Sequence, residues 1–146
     1  MKTEYITVDF DLKTNDDCDY LVQEFKKRDE VFQKLGNDPH YRWYIIVSLL
    51  QNESADRCIA DFCKKLETYS EEAQNELRKI EKKEFLIGYR AGNDQPAFND
   101  CLSHKTASAA AYYGIDIGIC IYPASNDPED YFNQNGSNQS GDDNSE

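Results

Sequence analysis

Isoleucine occupies every second position from Ile115 to Ile121, set against Asp116, Gly118, Cys120 and Tyr122, and Pro123 ends the run. Alternation that strict is the mark of a strand with one buried face and one outward face. A second such pattern precedes it, with Phe85, Ile87, Tyr89 and Ala91 on one parity and Leu86, Gly88 and Arg90 on the other. The turn-forming stretch Gly92-Asn93-Asp94-Gln95-Pro96 closes that strand. Between the two strands, Phe98, Leu102, Thr106, Ala109, Ala110 and Tyr113 recur at helical spacing, and Gly114 stands where a left-handed C-cap is wanted. Residues 84–122 therefore predict a βαβ unit, the tightest architectural constraint in the chain.

The N-terminal half reads in the same way. Ile6, Val8, Phe10 and Leu12 alternate with Tyr5, Thr7, Asp9 and Asp11, which predicts a half-buried strand. Asn15, Asp16 and Asp17 offer N-cap oxygens to a helix whose stripe is Leu21, Phe25, Phe32 and Leu35, ending at Gly36. After the turn Asn37-Asp38-Pro39, residues 42–50 form a strand with Trp43, Ile45, Val47 and Leu49 on one side. Its other side, Arg42, Tyr44, Ile46, Ser48 and Leu50, is also rather apolar, so the strand is expected to be central.

Helical spacing then runs from Ser54 to Ile80 through Ile59, Phe62, Cys63, Leu66, Ala73 and Leu77. A single helix of that length would extend ~40 Å and overshoot a strand of ~27 Å, so a break is expected near Tyr69, with Thr68-x-x-Glu71 or Ser70 as the new cap. A helical hairpin brings the chain back to where the second strand finished, which predicts a third strand antiparallel to the second. The expected fold is α+β: a four-stranded, mainly antiparallel sheet with helices on one face, ferredoxin-like, in the order βαβ, helical hairpin, βαβ. One domain is expected over residues 1–125. Residues 126–146, rich in Asn, Ser, Gly and Asp, predict an acidic disordered tail.

Charge sharpens the picture. The formal net charge is -12, but residues 126–146 hold six acids and no base, leaving 22 acids against 16 bases in the body. An acidic field repels phosphate backbones and attracts basic proteins, so nucleic acid is not expected as a partner. Five cysteines, an odd number with no CxxC pair, read as small apolar residues in a reducing compartment, which points to the cytoplasm. The longest apolar stretch, Trp43 to Leu50, is far below the ~20 residues of a membrane helix, and no export signal is expected at the N-terminus.

Candidate chemistry is sparse. Asp100, Cys101 and His104 share a predicted helix, but residues three apart point in similar directions and no loop supplies an oxyanion donor, so a buried Cys101 and a solvent-facing His104 are expected. His40, beside Pro39, reads as a loop residue. Asp9, Asp11, Asn15, Asp16, Asp17 and Asp19 lack the third ligand, the glycine and the distal Glu of a calcium loop. No GxGxxG or GxxxxGK[ST] is present. No catalytic residue, metal or cofactor is therefore assigned, and the chain is expected not to be an enzyme.

What remains is the second face of the sheet. If Ile6, Ile45, Ile87 and Ile119 point at the helices, the opposite parity displays Tyr5, Asp9, Asp11, Tyr44, Asp116 and Tyr122, among others. Rigid aromatics supply contact area and carboxylates supply steering, the combination a surface for a basic protein uses. The opening Tyr5–Leu12 strand, the Trp43 strand, the Ile59–Leu66 helix running into Ala73–Ile80, the Pro96-Ala97-Phe98 turn into Leu102 and the Asp116–Tyr122 strand together resemble a bacterial domain-of-unknown-function family of small cytoplasmic α+β proteins. More loosely, they resemble immunity proteins of polymorphic-toxin and contact-dependent inhibition systems. The resemblance spans residues 4–122, lies in layout, and carries over no site residue. It implies a protein that binds and neutralises a cognate toxin, with a basic nuclease domain as one candidate; a monomer or weak dimer is expected. The alternative expectation is a small-ligand-binding or regulatory domain that dimerises through its sheet.

Overall fold

The N-terminal alternating run becomes β1 (Glu4–Thr14), the middle strand of the sheet. In the computed structural model, which describes residues 2–49, 53–93 and 97–124, it is followed by α1 (Asp19–Lys27), β2 (Val31–Leu35), β3 (Trp43–Leu49), α2 (Ala55–Glu67), α3 (Glu71–Lys79), β4 (Lys82–Arg90), α4 (His104–Tyr112) and β5 (Asp116–Tyr122). The sheet order is β2-β3-β1-β4-β5, with antiparallel pairing everywhere except the parallel β4–β5 pair. Among the described residues the protein is α+β, with a five-stranded mixed sheet and four helices. The expected tail, residues 126–146, and the middle of the turn before Phe98 lie outside the described residues.

One side of the sheet carries the core. Val8, Phe10, Leu12, Ile45, Val47, Phe85 and Ile87 are buried almost completely, and α1 and α2 set Leu21, Phe25, Ile59, Phe62 and Leu66 against them. Phe10 packs on Phe62 and Phe85 with ring centroids 5.1 Å away in each case, and Phe62 meets Phe85 edge-on at 6.0 Å. In this interlocked trio each ring covers apolar surface that would otherwise face water.

The helical excursion breaks where expected. α2 stops at Glu67, and Ser70 is the cap that opens α3, its hydroxyl accepting from the Ala73 amide at 3.2 Å. Gly114 takes φ +68°, and the Gly114 and Ile115 amides close back on Ala111 and Ala110, as a left-handed C-cap does.

Several expectations are corrected. The helix predicted to reach Leu35 ends at Lys27, and residues 31–35 form a fifth strand on the edge beyond β3. Asp29 terminates that helix in the left-handed region at φ +54°, which Asp tolerates better than most residues. Phe32 still meets Phe25, at 5.6 Å, from the strand rather than from the next helical turn. The N-cap of α1 is Cys18, itself left-handed and without a side-chain cap bond. The open amides are met from another element, Glu76 of α3, whose carboxylate accepts from Tyr20 N at 3.1 Å and Leu21 N at 2.8 Å.

β3 and β4 are both antiparallel to β1, which separates them, so they run in the same direction rather than opposite directions. The fourth helix begins at His104, not Phe98, with Ser103 as its cap. Ile6 is not buried: a register shift between Tyr5 and Thr7 lifts it out and puts Tyr5 opposite Tyr89, on the helix-bearing side.

Candidate functional site

The face of the sheet away from the core has no helix over it among the described residues. Because strand register carries parity across the sheet, residues from five strands fall into rows. One row runs Gln33, Ile46, Asp11, Glu84, Asp116, so three carboxylates lie in line across β1, β4 and β5. Asp9 stands on the same face one row away, in register with Leu86 and Ser48. Lys13, Tyr44 and Lys82 form the row on the other side. A depression of about 390 Å³ opens here, walled by Asp11, Lys13, Tyr44, Lys82, Lys83, Glu84, Leu86 and Asp116.

Asp11 is the centre of this arrangement. Its Oδ2 accepts from the Tyr44 hydroxyl at 3.2 Å, while Oδ1 is buried and receives no hydrogen bond. Burial in the first place, then the nearby Asp9 and Glu84 charges, push its carboxyl up to about 6, with the Tyr44 hydrogen bond and Lys13 working in the opposite direction. Burial also raises the Asp9 carboxyl. Tyr44 responds reciprocally: burial and then the Asp11 charge push its phenol up to about 12, so it remains a hydrogen-bond donor. Lys13 offers limited relief, because its amine pairs with Asp38 at 3.0 Å while lying 5.1 Å from the centre of the Tyr44 ring.

The glycines of this face make room for side chains. A Cβ on Gly118 would sit 2.7 Å from Glu84 Oε2, so the Glu84 carboxylate lies across β5 where a side chain would otherwise stand. A Cβ on Gly88 would meet the Tyr122 ring at 3.3 Å, so Tyr122 lies along the sheet rather than standing out from it. Arg90, in register with Tyr122 on β5, pairs with Glu4 on the neighbouring β1.

Of the six residues singled out from the sequence, Asp9, Asp11, Tyr44, Asp116 and Tyr122 share this face. Tyr5 does not. It lies edge-on to Tyr89 at 6.3 Å beneath the helices, and burial, with the Cys58 thiol beside it, raises its phenol. Glu84 was missed, although parity read outward from Phe85 places it beside Asp11; Lys82 was missed in the same way.

The other candidates separate. Asp100 and Cys101 precede α4, and the Tyr89 hydroxyl donates to Asp100 Oδ2 at 2.5 Å, while Cys101 and His104 are exposed. The expectation of a buried Cys101 is therefore corrected: the helix starts too late to turn it inward. His40 sits in a turn closed by Asp38, whose Oδ1 accepts from the His40 and Tyr41 amides. Among the described residues no group of three or more His, Cys, Asp or Glu side chains is placed to hold a metal ion. No helix among them is long and apolar enough to cross a membrane.

Fold and site define a class, an α+β protein whose sheet has an acidic face uncovered among the described residues. No known protein family, curated protein or solved structure matches the chain.

Proposed function

We propose that this is a non-enzymatic binding protein whose uncovered sheet face takes a basic surface of another protein, as an immunity protein takes its cognate toxin. The observation that carries the reading is Asp11, a carboxylate with an unpaired, buried oxygen in line with Glu84 and Asp116. A buried acceptor without a donor is costly alone, and an incoming Arg or Lys removes that cost. Tyr44 and Tyr122 add flat area of the kind that anchors interfaces. A partner burying ~1,600 Å² in total would cover this face.

The strand arrangement supports the expected ferredoxin-like core in the first four strands. β1, β2, β3 and β4 stand in the order β2-β3-β1-β4, all antiparallel, with helices between β1 and β2 and between β3 and β4, which is the split βαβ pattern. The unit α4–β5 then adds a parallel strand at the β4 edge. Cys18, Cys58 and Cys63 lie in the core as thiols and not as disulfides, which agrees with a reducing, cytoplasmic setting.

One observation favours a second reading, a small-ligand site: the 390 Å³ depression gathers Lys13 and Lys82 opposite the carboxylates, a mixed-charge lining suited to a small polar molecule. The two readings part in one experiment. The chain is co-expressed with a toxic product of a neighbouring gene, where one is found, and survival is scored for wild type and for Asp9→Lys, Asp11→Lys, Asp116→Lys combined. Loss of protection with an unchanged far-UV spectrum supports the protein interface; full protection by the triple variant rejects this face.

A further inference from the structure

On the other side of the sheet, β5 presents a feature that the acidic face does not use. Ile117, Ile119 and Ile121 are in register with Phe85, Ile87 and Tyr89, on the side that carries the helices. Yet they are 37%, 64% and 66% exposed, whereas Ile87 is 2% exposed. α4 docks on α2 and does not cover them. Phe98, 41% exposed and seated on Tyr89 at 5.5 Å, extends the apolar surface toward β4.

Among the described residues β5 is also an edge, paired on one side only. Edge strands are ordinarily blunted by shortness, lysine, proline or a bulge. β2, at the opposite edge, fits that rule: it has five residues and carries Lys34. β5 has seven residues, an unbroken register and a single charge, Asp116, at its start. An unprotected edge bearing β-branched residues is a template for another strand.

We infer that β5 pairs antiparallel with β5 of a second copy of this chain, about a two-fold axis at Ile119. That register alone uses all seven residues of both strands; a shift of two in one direction brings Pro123 into the ladder, and in the other it pairs Tyr122 with Gly114. On the helix-bearing side it sets Ile117 opposite Ile121 of the second copy and Ile119 opposite itself, making one continuous isoleucine surface. On the other side it sets Asp116 opposite Tyr122 and Gly118 opposite Cys120, so no like charges face each other. The strand is thus complementary to itself, as a two-fold interface requires, which favours a second copy over an unrelated strand. A strand pair with a small apolar flank lies at the low end of interface size, so the dimer is weak. The acidic face remains free in it, and the inference stands independently of the function proposed for that face.

Sedimentation equilibrium on the full chain tests this, together with cross-linking. Wild type is expected to show a concentration-dependent monomer–dimer equilibrium, and Ile119→Lys, which opposes two lysines at the axis, weakens it at least tenfold with an unchanged urea midpoint. In a Cys101→Ser, Cys120→Ser background, Ile119→Cys forms a disulfide dimer under mild oxidation, since directly opposed antiparallel residues lie ~4.5–5.5 Å apart. Ile117→Cys does not, because its copies are about 14 Å apart, four residues along the strand. A monomer at every concentration overturns the inference, as would occupation of the stripe by residues 125–146 of the same chain. Equal cross-linking of the 117 and 119 variants overturns the register.

Discussion

Asp11→Asn isolates the energetic consequence of the acidic row. In the folded protein the Asp11 carboxyl rises from the ordinary 3.8 to about 6, chiefly through burial. A group raised on folding contributes its stability below the unfolded pKa and loses it as pH climbs through the folded one, so the window is about pH 4 to 6. Two units at 1.36 kcal/mol each set an upper bound of about 3 kcal/mol for the cost of ionised Asp11 at pH 7. The side chain keeps contact with solvent, which reduces that to ~1–2 kcal/mol. Asparagine preserves the shape and can still accept from the Tyr44 hydroxyl, so the substitution removes the charge and little else. Urea denaturation of both proteins between pH 4 and 7.5 measures the difference between them. That difference cancels the opposing contributions of Glu24, Asp38 and Asp56, whose carboxyls lie below their ordinary values. The expected difference is near zero at pH 4 and grows to ~1–2 kcal/mol in favour of Asp11→Asn at pH 7. Parallel stability curves, or a variant that is less stable at pH 7, would refute the account of Asp11 as a strained, ionised carboxylate awaiting a cation.

Four other outcomes are expected. A basic protein seated on this face should lower the Asp11 pKa and release protons near pH 6, read by calorimetry as a binding enthalpy that depends on the buffer's ionisation enthalpy; no release removes Asp11 from the interface. Glu76→Ala leaves the Tyr20 and Leu21 amides without their acceptor and should cost ~1–2 kcal/mol by urea denaturation, as loss of an N-cap does. Gly114→Ala, forced to hold φ +68°, should cost ~1–2 kcal/mol, whereas Gly118→Ala meets only the movable end of Glu84 and should cost less; the reverse order would contradict the assigned backbone. Phe62→Ala removes the ring that packs on both Phe10 and Phe85 and should cost about 3–5 kcal/mol in the same assay.

Parity made much of this fold legible in advance, and the places where it failed have physical causes. That Val8, Phe10, Phe85 and Ile87 share the core side follows directly from alternation, and so does the place of Asp9 and Asp11 on the open face. One register shift at Ile6 reverses the rule for a single turn of strand and carries Tyr5 to the wrong side, and nothing local in Glu4-Tyr5-Ile6 announces it. Residues 25 and 32 satisfy helical spacing and also the contact between a helix and the strand that follows, so Phe25 and Phe32 could not separate those two structures. Asp29 ended the helix without the glycine that usually signals such an end. The β5 isoleucines show a different limit. Ile87 and Ile119 have the same alternating surroundings and stand in register, yet one is sealed and the other open. Alternation states which way a side chain points, and only the packing of other elements decides whether anything meets it. Here α4 has nine residues, about 14 Å of helix, against a β5 of about 23 Å, and it is committed to α2. A helix begun at Phe98 would have been six residues longer, nearly two turns; with the later start at His104, Ile115 is covered but Ile117, Ile119 and Ile121 are open, so most of the clearest apolar pattern in the sequence ends up at the surface.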